Sequence, residues 1–143
     1  MAEYIFNDKI EKTDLRRRFA AHSAGIYAMP APASTQAQSV MKKRNLNMQN
    51  HVAKRVEEKN MHEAELVLCM GRTHAENLKE HYCAYADKIH RLSSYVGEER
   101  DVEDPYGANE ERYEQTARQL ETYIDSVIEK LKGNEKNENS NRQ

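Results

Sequence analysis

Cysteine is scarce in this chain, and metal-binding patterns are missing with it. The 143 residues contain only Cys69 and Cys83, far apart in sequence, and none of the six histidines forms a His-x3-His pair. We therefore expect neither a disulfide framework nor a zinc site, and two unpaired thiols are typical of a reducing compartment. The prediction is a protein without a metal or an organic cofactor.

Long apolar runs and an excess of one charge are also absent. No segment approaches the roughly 18 apolar residues that span a membrane, and no signal peptide is recognisable, so we expect a cytoplasmic protein without membrane contact. The formal net charge is −2 with interspersed signs, which argues against the large basic face of a nucleic-acid-binding protein. The short basic clusters at residues 16–18 and 42–44 are typical of solvated helix ends.

What is present suffices for one domain. Hydrophobic residues make up 38% of the chain and charged residues 32%, which allows a modest core. Apolar runs alternate with helical patterns, and this alternation predicts an α/β, three-layer domain with a parallel sheet. We assign residues 1–132 to that domain. Residues 133–143, which contain no apolar side chain, are expected to form a disordered polar tail.

Local patterns place the individual elements. The run at 66–70, ended by Gly71, is typical of a strand covered on both faces, and Gly133 is expected to stop the last helix. Ser34 is a suitable helix cap, and Asn45 tolerates the left-handed conformation that ends a helix. We predict helices at residues 2–12, 34–45, 56–62, 73–81 and 109–131, strands at 19–26, 66–70 and 88–92, and a loop at 27–34.

The residues with possible chemistry lie in two places. Asp104-Pro105-Tyr106-Gly107 is a turn sequence before the long helix, and it allows two interpretations. Asp104 is either a solvated turn residue or a general acid, with Tyr106 beside the substrate. Like charge from nearby carboxylates could raise the pKa of this acid.

Ser23 and His51 are the second group of candidates. Each is either a turn or capping residue or a functional one. A Ser23-His51-Asp104 triad can be written down, but Ser23 lacks the Gly-x-Ser-x-Gly sequence of a nucleophile elbow. Cys69, inside an apolar strand, is expected to be a packing residue, and Cys83 an exposed thiol without a basic neighbour.

In order and spacing, four runs resemble the low-molecular-weight protein phosphatase family: Ala-His-Ser-Ala-Gly-Ile at 21–26, Asn-His-Val-Ala at 50–53, Glu-Leu-Val-Leu-Cys-Met at 65–70 and Asp-Val-Glu-Asp-Pro-Tyr-Gly at 101–107. The resemblance implies a flavodoxin-like parallel sheet and phosphorylated proteins as substrates. By matching position, Asp104 is the general acid and base, and Tyr106 is the aromatic wall of the pocket. Ser23 and His51 match side chains that support the phosphate loop, and residues 26–34 match the opposite rim.

One part of the family pattern is missing. The family begins with a central strand that leads into Cys-x5-Arg, whose cysteine forms a phosphocysteine. Here the positions six residues after Cys69 and Cys83 are Ala75 and Ile89, and Met1-Ala2-Glu3 matches an internal Met-Ala-Glu of the family. The resemblance therefore implies an N-terminally truncated chain without its first strand and nucleophile, inactive as given. The alternative is a catalytically dead binding module that holds a partner.

The resemblance also bears on the substrate. Gly107 after the aromatic residue, and the Ser-Ala-Gly-Ile-Tyr-Ala turn at 23–28, are similar to bacterial members that act on phosphoarginine in proteins. We therefore favour phosphoarginine slightly over phosphotyrosine. The side chain that discriminates the two lies in the missing loop.

Overall fold

Helices form most of this protein, and a short parallel sheet lies among them. The computed structural model describes residues 1–141, with side chains to residue 135. Two 3-10 helices, Asp14–Arg17 and Cys83–Lys88, join larger elements. In chain order these are α1 (Ala2–Glu11), α2 (Thr35–Lys42), α3 (Glu58–Glu63), β1 (Val67–Cys69), α4 (Arg72–His81), β2 (Ile89–Arg91), α5 (Leu92–Tyr95) and α6 (Glu110–Asn141).

The ends of α2 show how local sequence sets an element. The Ser34 side chain accepts the Ala37 N–H at 3.1 Å and so satisfies one of the free donors of the first turn. After the helix, Asn45 adopts a φ of 60°, the left-handed conformation that asparagine tolerates. Both predictions for this helix are confirmed.

The sheet consists of β1 and β2, which are parallel, with Val67 opposite Ile89 and Cys69 opposite Arg91. Helix α4 connects them, as parallel strands require a crossover. The predicted strands at 66–70 and 88–92 are thus confirmed. Within residues 1–141 the sheet has only these two strands, so a larger flavodoxin-like sheet is not seen.

The strand predicted at residues 19–26 is wrong. Within that segment only Gly25 makes a strand-like contact, an isolated parallel bridge to Arg55. Side chains of α1 satisfy the backbone instead: Asn7 bonds both the N–H and the carbonyl of Ala21, at 2.7 and 3.0 Å. Asn7 thus holds Ala21 against α1, and Gly25 exchanges backbone hydrogen bonds with Lys54 and Val56 instead of with β1 or β2.

The predicted end of the last helix is also wrong. Helix α6 continues through Gly133 to Asn141, so residues 133–141 are helical where a disordered tail was predicted. Residues 142 and 143 lie outside the described part. Gly133 does not take a positive φ, and a glycine inside a helix costs only about 1 kcal/mol relative to alanine, which does not end a helix by itself.

The core has two parts. The larger lies between α1, α2 and α6, where Ile5, Val40, Met41, Ala117 and Leu120 are buried together. The smaller surrounds the sheet and contains Met61, Cys69, Ala75, Leu78 and Ile89. None of the helices in the described range is long and apolar enough to cross a membrane.

Arg44 connects the end of α2 to α6. Its guanidinium donates to Glu114 at 2.6 and 2.8 Å and to Glu121 at 2.9 and 3.1 Å. The side chains of Arg44 and Glu114 are 17% and 22% exposed. The hydrogen bond from Arg44 holds the pKa of Glu114 below its usual 4.5, so the carboxylate is stabilised in its charged form.

Replacing Arg44 should therefore destabilise the fold. We expect Arg44→Ala to lower the free energy of unfolding by about 1–3 kcal/mol, because it leaves two partly buried carboxylates without their donor. The matched control is Lys43→Ala, which removes the more exposed pair with Glu110 and should leave the denaturation midpoint unchanged.

The pH dependence of this difference follows from Glu114. A carboxyl with a depressed folded pKa contributes stability above its unfolded value of 4.5 and loses it as the pH falls through the folded pKa. The difference between wild type and Arg44→Ala should shrink below pH 4.5 in urea denaturation. A difference that is independent of pH would contradict the assignment.

Candidate active site

The turn at residues 104–107 presents a carboxylate and an aromatic ring to solvent. Asp104 Oδ1 accepts the Tyr106 N–H at 3.0 Å, and the Ala108 N–H donates to the Pro105 carbonyl at 2.9 Å. Pro105 is buried and anchors the turn, whereas Asp104 is exposed and Tyr106 is 84% exposed. Gly107 has a φ of 81°, a left-handed conformation that favours glycine.

The segment before this turn is tied down at several points. Asp101 accepts the backbone N–H of Arg72 with one carboxylate oxygen and the Arg91 guanidinium with the other, both at 3.2 Å. Its carbonyl accepts Gln119 Nε2 at 3.0 Å, and the Val102 N–H donates to the Met70 carbonyl at 2.9 Å. The residues just before Asp104, 101–103, are thus bonded to the end of β1, to β2 and to α6. We call this segment the stem of the turn.

This positioning role of Asp101 was not predicted from the sequence. The acidic residues before Asp104 were expected to act as like charges, but Asp101 pairs with Arg91 and Glu103 pairs with Arg112. Arg72 lies 29 residues from Asp101 in sequence. No local pattern links positions so far apart, so these hydrogen bonds to Asp101, which we call the Asp101 clamp, could not be predicted from the sequence.

The first turn of α1 contacts both Ser23 and His51. Ser23 donates its hydroxyl and its N–H to Glu3 Oε1, at 3.0 and 2.7 Å. The His51 ring packs edge-on against Tyr4, with centroids 5.4 Å apart. The structure therefore brings these two predicted residues to one end of α1. No hydrogen bond among the described residues joins them to each other or to Asp104, so a Ser-His-Asp triad is not formed.

A second loop lies next to the Asp104 turn. Gln36, in the first turn of α2, donates from Nε2 to the Ala108 carbonyl at 3.3 Å. This contact holds α2, and with it the preceding loop, against the turn. In that loop Tyr27 and Met29 are strongly exposed.

Neither cysteine is poised for nucleophilic chemistry. Cys69 is buried at the end of β1, and burial raises the pKa of its thiol to about 11, so the thiolate is scarce near neutral pH. It packs in the cluster with Leu78 and Ile89, as predicted. Cys83 is exposed. In the described residues no group of three or more His, Cys, Asp or Glu side chains could hold a metal ion.

Comparisons with known proteins agree on one family. The sequence model described as "Low molecular weight phosphotyrosine protein phosphatase" matches residues 1–137. A Bacillus subtilis protein named protein-arginine-phosphatase is 32% identical over 134 residues, which is 92% of this chain and 87% of that protein. A low molecular weight protein-tyrosine-phosphatase of Staphylococcus haemolyticus is 35% identical over 100 residues, 69% of this chain and 70% of that protein.

A solved structure shares the fold. The crystal structure of a low molecular weight protein tyrosine phosphatase from T. tengcongensis superposes with a TM-score of 0.85 and 43% identity. The match covers 90% of this chain and 88% of that one. The observed parallel strands and flanking helices are therefore those of this fold.

We expect the Asp104 turn to become more mobile when the hydrogen bonds to Asp101 are removed. Asp101→Ala should accelerate hydrogen exchange of the amides at residues 102–104 and 106–108 by about tenfold, since a charge-assisted hydrogen bond no longer holds the stem. The matched control is Glu103→Ala, which removes the same charge from an exposed pair with Arg112. Equal acceleration in both variants would show that Asp101 does not position the turn.

Proposed function

The chain belongs to the low molecular weight phosphotyrosine protein phosphatase family, and on that premise we propose that it carries the acid side of a cysteine-dependent protein phosphatase site. The observation that carries the proposal is the turn that holds Asp104 in solvent on a clamped stem. The relatives named above are protein phosphatases. Phosphorylated proteins, in the cytoplasm, are the proposed substrates.

Asp104 serves as general acid and then as general base. In the first step it protonates the leaving group as the phosphoryl group passes to a cysteine, and in the second it takes a proton from the water that attacks the phosphocysteine. An exposed carboxylate suits both steps, because substrate and water must reach it in turn. Tyr106, beside it in the same turn, supplies an aromatic wall to the pocket.

The nucleophile is not among these 143 residues. Cys69 is buried with a raised pKa, and neither cysteine has an arginine six positions later. We therefore propose that the chain by itself does not turn over phosphate esters, and that a preceding strand and Cys-x5-Arg loop complete the site. Only one edge of β1 has a strand partner among the described residues, which leaves the other edge available.

We propose that the Cys-x5-Arg loop lies against the first turn of α1. The free N–H groups at a helix start favour an anion, which stabilises both a phosphate and a thiolate. Ser23 and His51 already contact Glu3 and Tyr4 in this turn. From these positions they would support the loop from behind.

Phosphoarginine is the favoured substrate group, with phosphotyrosine as the second candidate. The Bacillus subtilis relative favours the first, and the Staphylococcus haemolyticus relative and the T. tengcongensis structure favour the second. Apart from its chain neighbours, no atom lies within 4 Å of the position that a β-carbon would take at Gly107, so the pocket edge there is open to a planar guanidinium. The positive φ of Gly107 also explains the glycine without reference to substrate.

A binding module without catalysis is the competing function. The absence of a nucleophile in the sequence and the exposed Tyr27, Met29 and Tyr106 favour it. The DNA sequence upstream of Met1 distinguishes the enzyme from the binding module. An in-frame Cys-x5-Arg segment there supports the enzyme, and a stop codon there supports the module.

The role of Asp104 is tested in a chain extended by the family's strand and Cys-x5-Arg-Ser-Pro loop. Asp104→Asn should lower kcat/KM by about 10²- to 10⁴-fold. The loss should be larger for phenyl phosphate than for p-nitrophenyl phosphate, whose leaving group needs less protonation. Glu103→Gln is the control and should retain activity, and the 143-residue chain should show none. An equal loss on both esters would remove Asp104 as the acid.

Substrate choice is tested with two peptides that differ only in the phosphorylated residue. The extended enzyme should hydrolyse the phosphoarginine peptide with the higher kcat/KM. A Tyr106→Ala variant should raise KM for both peptides, because the aromatic wall contacts each. Equal or reversed efficiencies in the unmodified enzyme would assign it to the phosphotyrosine class.

A further inference from the structure

A second concave site lies away from the Asp104 turn. It is bounded by α4, β2, α5 and α6 and has a volume of about 440 Å³, within the range of roughly 300–1,000 Å³ that is usual for small-molecule pockets. None of residues 104–107 lines it. A ligand here would therefore not occupy the proposed acid site.

The lining of this pocket is strongly basic. The charged side chains that the described residues contribute to it are Arg72, Lys79, Arg91 and Lys130, with Glu76 as their single carboxylate. Lysine and arginine are the side chains that proteins use to bind phosphate. The pocket therefore has the composition of an oxyanion site.

Most of that positive charge is not neutralised. Arg91 is paired with Asp101, whereas Lys130 donates only to the Tyr95 carbonyl at 2.9 Å and lies 4.0 Å from the centroid of that ring. The side chains of Arg72 and Lys79 form no hydrogen bond or ion pair with any residue in the described part of the chain. Three cations thus face one carboxylate.

The positive charge of these side chains affects the pKa of a neighbouring histidine, His90. His90, on β2, lines the same pocket and packs against Tyr95 with ring centroids 5.5 Å apart. Burial, and then the positive charges of Lys79 and Lys130, hold the pKa of His90 below 6.5. The two lysines, from α4 and α6, therefore act on one region of space, where an anion would relieve their repulsion.

We propose that this pocket binds the diphosphate or triphosphate group of a small ligand. Three uncompensated cations on two helices suit a group with several negative charges better than a single phosphate. Arg72 and Lys79 have donors free for it, and Glu76 limits its affinity by repulsion.

The probe is inorganic pyrophosphate, titrated into the 143-residue chain at low salt in a buffer without phosphate. Pyrophosphate should bind more tightly than orthophosphate, and added sodium chloride should weaken binding. Lys79→Ala should weaken it about fivefold, since one charge at contact distance is lost. Lys79→Arg should preserve it, and Lys42→Ala, an exposed lysine on α2, is the matched control without effect.

Glu76→Gln should tighten pyrophosphate binding, because it removes the one carboxylate that repels the ligand. A variant with a damaged fold would bind more weakly, so it could not produce this result. ADP distinguishes the source of the phosphate group: equal affinity to pyrophosphate indicates a free polyphosphate, and higher affinity a nucleotide. Absence of pyrophosphate binding would overturn the proposal. So would binding that is unchanged by both Lys79→Ala and Glu76→Gln.

Discussion

Burial of one face of α6 against α1 and α2 forms the larger part of the core and positions both helices. Ala117, Leu120, Ile124 and Val127 lie on that face, and α1 and α2 pack against it. Because α1 carries the contacts to Ser23 and His51, and α6 begins directly after the Asp104 turn, one helix sets the positions of both parts of the candidate site. Arg44 adds a polar connection between α2 and the same helix.

The candidate acid combines an exposed tip with a fixed base. Asp104 is free to meet substrate and water, while Asp101, three residues earlier, is held by backbone and side-chain donors from two other elements. This arrangement suits a group that transfers protons, because its carboxylate must be accessible to substrate and water and must also keep a fixed orientation. Arg91 serves the stem of this turn and also lines the basic pocket, so the two sites share a side chain.

Sequence patterns predicted elements whose signals are local. The apolar run at 66–70, the Ser34 cap and the Asn45 helix end each depend on a few neighbouring residues, and each is found. The two errors have different causes. Within residues 19–26, Ala21 and Ser23 bond to the Asn7 and Glu3 side chains and Gly25 bonds to the backbone of Lys54 and Val56, so tertiary contacts override the strand-like composition. Helix α6 continues through Gly133 because a single glycine costs too little free energy to end a helix.

Motifs and periodicity lie along the chain, so they were enough to predict the family, the general positions of the helices and of β1 and β2, and the candidate residues. Three arrangements came from the fold: the bond from Arg72 that holds Asp101 below the acid turn, the contacts of Ser23 and His51 with α1, and the placement of Arg72, Lys79 and Lys130 around one pocket. Apart from Arg72 and Lys79, which lie on the same helix α4, these contacts join residues that are 20, 29 or more positions apart. No repeat or local spacing encodes such pairs, because they form only when burial of the α6 face brings distant segments together.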